Sequence, residues 1–149
     1  MAKNNKIIVM IATLLFAAVG LIISNLIQDI ITDQASSQNE GIIKEFFDLI
    51  TTPGLLSGLI WLLLCIIVFY GVRMVVDEGE NVGPISLFFL LIWLGAVIGL
   101  VIGEIVWILF KGSSIILDLD LLIDTFAFNL TLALGPSFAA ALGVTTKNR

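Results

Sequence analysis

The sequence predicts an all-α protein: an integral membrane bundle of four transmembrane helices, with a short amphipathic interfacial helix between spans 1 and 2. Run length and composition lead there. Four apolar stretches, Ile7–Ile27, Leu55–Val76, Ile85–Phe110 and Phe126–Val144, fill most of the 149 residues. A hydrocarbon core about 30 Å thick needs about 20 helical residues, and every stretch meets or nearly meets that. Mean hydropathy is +1.14. Charged residues make up 13% of the chain, against roughly a quarter in soluble domains. A soluble core of this size has too little interior to hide so many apolar side chains. The alternative setting is burial inside a larger assembly such as a filament. The longest polar interruption, Gln28 to Thr52, leaves no room for a separate catalytic domain, so residues 1–149 read as one transmembrane domain.

Each element has its own local grounds. Lys3 and Lys6 precede the first apolar run as in a signal peptide. That run exceeds the usual h-region of about 7–15 residues, and no clean small-x-small cleavage site follows it. A retained first helix is therefore expected, ending at Asn25, Gln28 and Asp29, with a flexible turn at Gln34–Gln38. Over residues 40–50, Ile42, Ile43, Phe46, Phe47 and Ile50 share one helical face, while Lys44, Glu45 and Asp48 take the other. That pattern is an amphipathic helix. Between two spans its natural place is flat in the membrane interface, as a shielding ramp or as a lid or docking surface. Thr51-Thr52-Pro53 ends it, because proline disfavours helical geometry in the residue before it. A tight hairpin over Asp77–Gly83 joins spans 2 and 3, and Arg73 can snorkel to the interface or reach Asp77. Pro84 opens span 3, where its missing N–H costs nothing. Between Gly112 and Asp124 a short interfacial helix is expected, since an open strand would leave backbone groups unpaired. Asp118, Asp120 and Asp124 lack the spacing of a calcium loop.

Orientation follows from the basic residues. Four crossings put Lys3, Lys6, Arg73, Lys147 and Arg149 on one side and only Lys44 and Lys111 on the other. Both termini are therefore expected in the cytoplasm, at a cell membrane. The opposite face carries most of the acids and attracts cations.

Small residues mark the packing faces. Gly95, Gly99 and Gly103 repeat every fourth residue in span 3, and Gly135, Ala139 and Gly143 do so in span 4. Gly54 and Gly58 begin a shorter ladder. Such seams let two helix backbones approach closely, either within the chain or between copies. Glu104 is the only acid inside a span. At about 100° per residue the glycines lie near 0°, 40° and 80°, with Glu104 near 180°. It shares a stripe with Trp93, Leu100, Trp107 and Lys111. An intramembrane carboxylate is costly and marks a candidate ion or proton site, with Asn129 and Thr131 as polar companions. The structural alternative is an acid near the span end that reaches headgroup depth, partnered by Lys44 or Lys111. Pro136 is expected to disturb the last helix by freeing a carbonyl near Leu132.

Catalysis is not expected. The chain has no histidine and a single cysteine, Cys65, which removes Ser/Cys–His pairs, histidine metal sites and thiolate clusters. No phosphate-cradling glycine loop is present, and no metal, cofactor or nucleic-acid partner is expected. Tyr70-Gly71-Val72-Arg73, followed by a short polar loop and another span, resembles conjugation-type pilins. Those carry a basic loop where this chain has Asp77-Glu78-Gly79-Glu80. That resemblance implies an assembly protein. The leading expectation is a structural or accessory subunit that packs through small-residue faces on itself or on other membrane subunits. The alternative is an oligomeric channel or transporter component built on Glu104.

Overall fold

A computed structural model describes residues 2–37, 41–52, 54–76, 85–112, 127 and 129–147. Those residues form five helices: α1 (Ala2–Ser37), α2 (Ile42–Ile50), α3 (Leu55–Val75), α4 (Ile85–Phe110) and α5 (Leu134–Lys147). Three of them, α1, α3 and α4, are long and apolar enough to cross a membrane.

The first helix does not stop where its polar residues begin. It runs through Asn25, Gln28 and Asp29 and continues across Gln34 to Ser37. No glycine or proline lies between Gly20 and Gly41, so nothing in the backbone forces an end. Thr32 Oγ1 donates to the Gln28 carbonyl, and Ser36 and Ser37 Oγ donate to the Asp33 and Gln34 carbonyls, each at 2.8 Å. Polarity here marks exposure, and the helix tolerates it. Gly41 precedes α2 with a φ of 103° and ψ of −176°, a region reserved for glycine.

The fourth apolar stretch, expected as one span over 126–144, is a shorter piece. α5 has 14 residues, about 21 Å of helix. A helical turn at Asn129–Leu132 precedes it, and the pattern is interrupted at Ala133, beside the Leu132 carbonyl that Pro136 cannot serve. The Ala133 and Ser137 N–H groups still donate to the Asn129 and Ala133 carbonyls at 2.9 and 3.0 Å. The expected hairpin at Asp77–Gly83, the start at Pro84 and the segment from residue 113 to Asp124 lie outside the described residues.

The four long elements form a ring in the order α1, α3, α5, α4. Consecutive elements run in alternate directions, so α1 and α4 are parallel neighbours, as are α3 and α5. Although joined in sequence, α3 and α4 sit diagonally across the ring. Val9, Val68, Val72, Ile92, Val97 and Val144 fill one half of the interior and are fully buried. That half is a dry plug. Small residues share it: Ala12, Ala17, Ala96 and Ala140.

Larger apolar side chains point outward. On α1 they are Ile8, Ile11, Leu15, Val19, Ile23, Leu26 and Ile30, a continuous stripe at helical spacing. On α4 the stripe is Leu90, Leu94, Ile98, Ile102, Ile105 and Leu109, and on α5 it is Leu134, Phe138 and Leu142. α2 touches α1 but buries no residue.

Candidate functional site

The glycine seams are occupied within the chain. A Cβ at Gly95 would lie 2.6 Å from the Met10 carbonyl oxygen, and one at Gly103 would lie 2.8 Å from that of Ala18. Gly99 faces the Leu14 carbonyl and the Ala17 methyl even more tightly. The whole repeat therefore packs on the backbone of α1. On α5, a Cβ at Gly143 would meet the Phe69 carbonyl at 2.7 Å, and Gly135 seats the indole of Trp61. Ala139 is buried between these positions. Gly54 lies ahead of α3 with a φ of 91°, and Gly58 faces open space.

With its glycines turned to α1, α4 presents Trp93, Leu100 and Glu104 to the interior. Trp93 Nε1 donates to the Leu130 carbonyl at 3.0 Å, which ties α4 to the turn before α5. Leu100 is buried. Glu104 lines a cavity of about 290 Å³ between α1, α3, α4 and that turn. Asn129 is 3% exposed, and its Nδ2 donates to Glu104 Oε2 at 3.4 Å. Thr131, the third sequence candidate, is exposed and does not line the cavity.

The wall opposite Glu104 comes from the part of α1 expected to be a helix end. Ser24, Asn25 and Gln28 line the cavity, and with Asp29 they follow the i, i+1, i+4, i+5 spacing of one face. Ser24 is 1% exposed, and its Oγ has no hydrogen-bond partner among the described residues. From α3 come Ser57, Trp61 and Leu64. The polar spacing on α1 was present in the sequence. The contributions of Ser57 and Trp61 had no signal there, because nothing in α3 alone says which helix it faces.

Charge around the site is one-sided. Lys111, named as a possible partner of Glu104, forms an ion pair with Asp29 instead. Its ammonium also lies 5.2 Å from the Trp107 ring centre. Lys44 is exposed on α2. Residues 113–126, which join α4 to the turn, contain no lysine or arginine. Among the described residues no lysine or arginine pairs with Glu104. Seven residues separate Glu104 from Lys111, about 10 Å along the helix. The carboxylate therefore sits well below the pair that marks this end of the bundle. At the far end, Lys147 Nζ donates to the Arg73 carbonyl at 3.0 Å and Arg73 Nη1 to Thr146 Oγ1 at 3.4 Å. Among the described residues no three acidic, histidine or cysteine side chains gather as a metal cluster.

No protein-family model matches the chain, and no curated protein or solved structure does either.

Proposed function

We propose that this is a four-span membrane protein that holds a small monovalent cation at Glu104, as the binding step of a transport cycle. One observation carries the reading: among the described residues Glu104 is the one carboxylate that lines the cavity, and no basic residue pairs with it there. In a low-dielectric bundle an unbalanced carboxylate is expensive unless it takes up a proton or another cation. The dry plug of Val68, Val72, Ile92 and Val144 lies behind the cavity. Access is thus from one end, which suits a carrier better than an open pore.

The four-span count rests on the alternating directions and on outward apolar stripes that include α5. Stripes of this length on a protein surface need lipid or a partner to cover them. Arg73 and Lys147 meet at one end, and the positive-inside rule makes that end cytoplasmic. The cavity then opens toward the opposite, more acidic side. Single cysteines at Gln38 and Asp120, in a Cys65→Ala background, are expected to label from outside intact cells. Labelling only after permeabilisation would reverse the orientation.

The decisive assay is cation flux into vesicles reconstituted with the full chain. A proton or sodium gradient is expected to drive flux in the native protein, and Glu104→Gln to reduce it at least tenfold. Flux unchanged by that substitution would remove Glu104 from the reading.

A second reading keeps the protein as an accessory subunit or pilin-like assembly component. It is favoured by α2, whose Ile42, Ile43, Phe46 and Leu49 are all exposed. The glycine seams no longer favour it, since their grooves are filled by α1 and α3. Flat burial of α2 in the membrane interface covers the same side chains. Native mass spectrometry from the source membrane separates these outcomes: co-purification at fixed ratio with larger chains supports the subunit reading.

A further inference from the structure

The shape and lining of the cavity say more about the cation than its charge does. Leu64, Leu100 and Trp61 give the cavity an apolar lining, and Ser24, Glu104 and Asn129 are among its polar groups. Its volume of about 290 Å³ equals that of about ten waters. A bare metal ion needs several oxygen ligands converging on one point, and among the described residues no cluster of three acidic side chains supplies them. Mostly apolar walls with a few placed polar groups are the anatomy of a site for an organic molecule.

Two further features are built for a cation with an apolar body. Gly135 seats the Trp61 indole so closely that any side chain there would displace the ring from this wall. An indole face attracts ammonium groups and covers hydrocarbon equally well. Ser24 Oγ, buried and without a partner among the described residues, is an acceptor for an N–H donor.

We propose that the cavity binds a small organic ammonium, its nitrogen between Glu104 and Ser24 and its apolar body against Trp61 and Leu64. One positive charge matches Glu104, the one carboxylate among the described residues that line the cavity. The proposal rests on the cation-site reading above and narrows it to a ligand class. A primary ammonium has three N–H donors, enough to serve Glu104, Ser24 and a side-chain amide oxygen together. The charge-assisted bond to Glu104 carries the affinity, and the apolar wall selects against hydrated inorganic ions.

The test is calorimetric titration of the full chain in detergent with benzylammonium chloride at neutral pH. Sodium chloride and benzyl alcohol, the uncharged counterpart of the same shape, are the comparisons. Saturable binding of benzylammonium alone is expected. Glu104→Gln is expected to weaken it at least tenfold, and Trp61→Leu severalfold. Ser24→Ala removes a hydroxyl that has no partner among the described residues. It is expected to leave the fold intact and to weaken binding severalfold, so a failure of Glu104→Gln to fold does not end the test. Sodium or proton uptake that depends on Glu104, without benzylammonium binding, would overturn the organic ligand and leave the cation site standing. Benzylammonium binding that survives both Glu104→Gln and Ser24→Ala would place the ligand elsewhere and overturn the proposal. No uptake of any cation would overturn both readings.

Discussion

An added methyl group separates the glycines of α4 from Gly58 of α3. At Gly99 an added side chain meets the Leu14 carbonyl and Ala17, and backbone cannot swing aside as a flexible side chain does. Gly99→Leu is expected to cost stability at the upper end of the ~1–3 kcal/mol typical of overpacking. Gly58, by contrast, faces open space inside a helix. There Gly58→Ala is expected to be neutral or to stabilise by up to about 1 kcal/mol, because alanine loses less backbone entropy. Denaturant titration of the two variants in detergent measures both. Equal effects would mean that the close approach of α1 and α4 is not a stabilising contact. The same logic separates Glu104 from Asp29. Asp29 has Lys111, a half-exposed pair of small worth, whereas Glu104 faces the cavity.

At the scale of the element, α1 departs from expectation, whereas the last apolar run is interrupted where Pro136 is expected to disturb it. Polar residues after Ile27 promised an end, but side-chain hydroxyls bond to carbonyls of the preceding turn and the helix continues. Backbone chemical shifts of Asp29–Ser37 are therefore expected to be helical in micelles. Random-coil values over that stretch would restore the earlier end and remove Gln28 from the cavity wall. In the last apolar run the backbone defect falls where the proline is expected to put it. Pro136 offers no N–H to the Leu132 carbonyl, so the regular pattern is interrupted at Ala133. Asn129 sits on the turn before that interruption, where its amide reaches Glu104. The local defect thereby places a polar side chain in the site.

The outer surface of the whole molecule carries large apolar side chains, while glycine and alanine take the closest helix contacts. A lipid surround explains this: it gives no hydrophobic reward for burying leucine, so close backbone packing decides which residues turn inward. Ile98, 42% exposed in the outer stripe of α4, reads out that surround. Ile98→Arg is expected to cost about 2.5–3.5 kcal/mol of membrane insertion, as a central arginine does. Loss of the variant from the membrane fraction is the measurement, and full retention would argue that this face is wet or protein-covered. The ring order also bears on function. Placing α3 and α4 on a diagonal leaves room for α1 and the turn before α5 to close a cavity between them.

Run length, hydropathy and the scarcity of charge were enough to read helices and a membrane setting. Those properties depend on the solvent a segment prefers and on its own length. The same reading found the Gly95–Gly99–Gly103 face and set Glu104 on the opposite side of α4, because helical periodicity fixes angles about one axis. Periodicity names no neighbour. That the α4 glycines meet α1, that Lys111 takes Asp29, and that Thr131 stays outside while Ser24 turns in are outcomes of packing. They required the ring of helices, since a cavity is a property of several surfaces at once and belongs to no single stretch of chain.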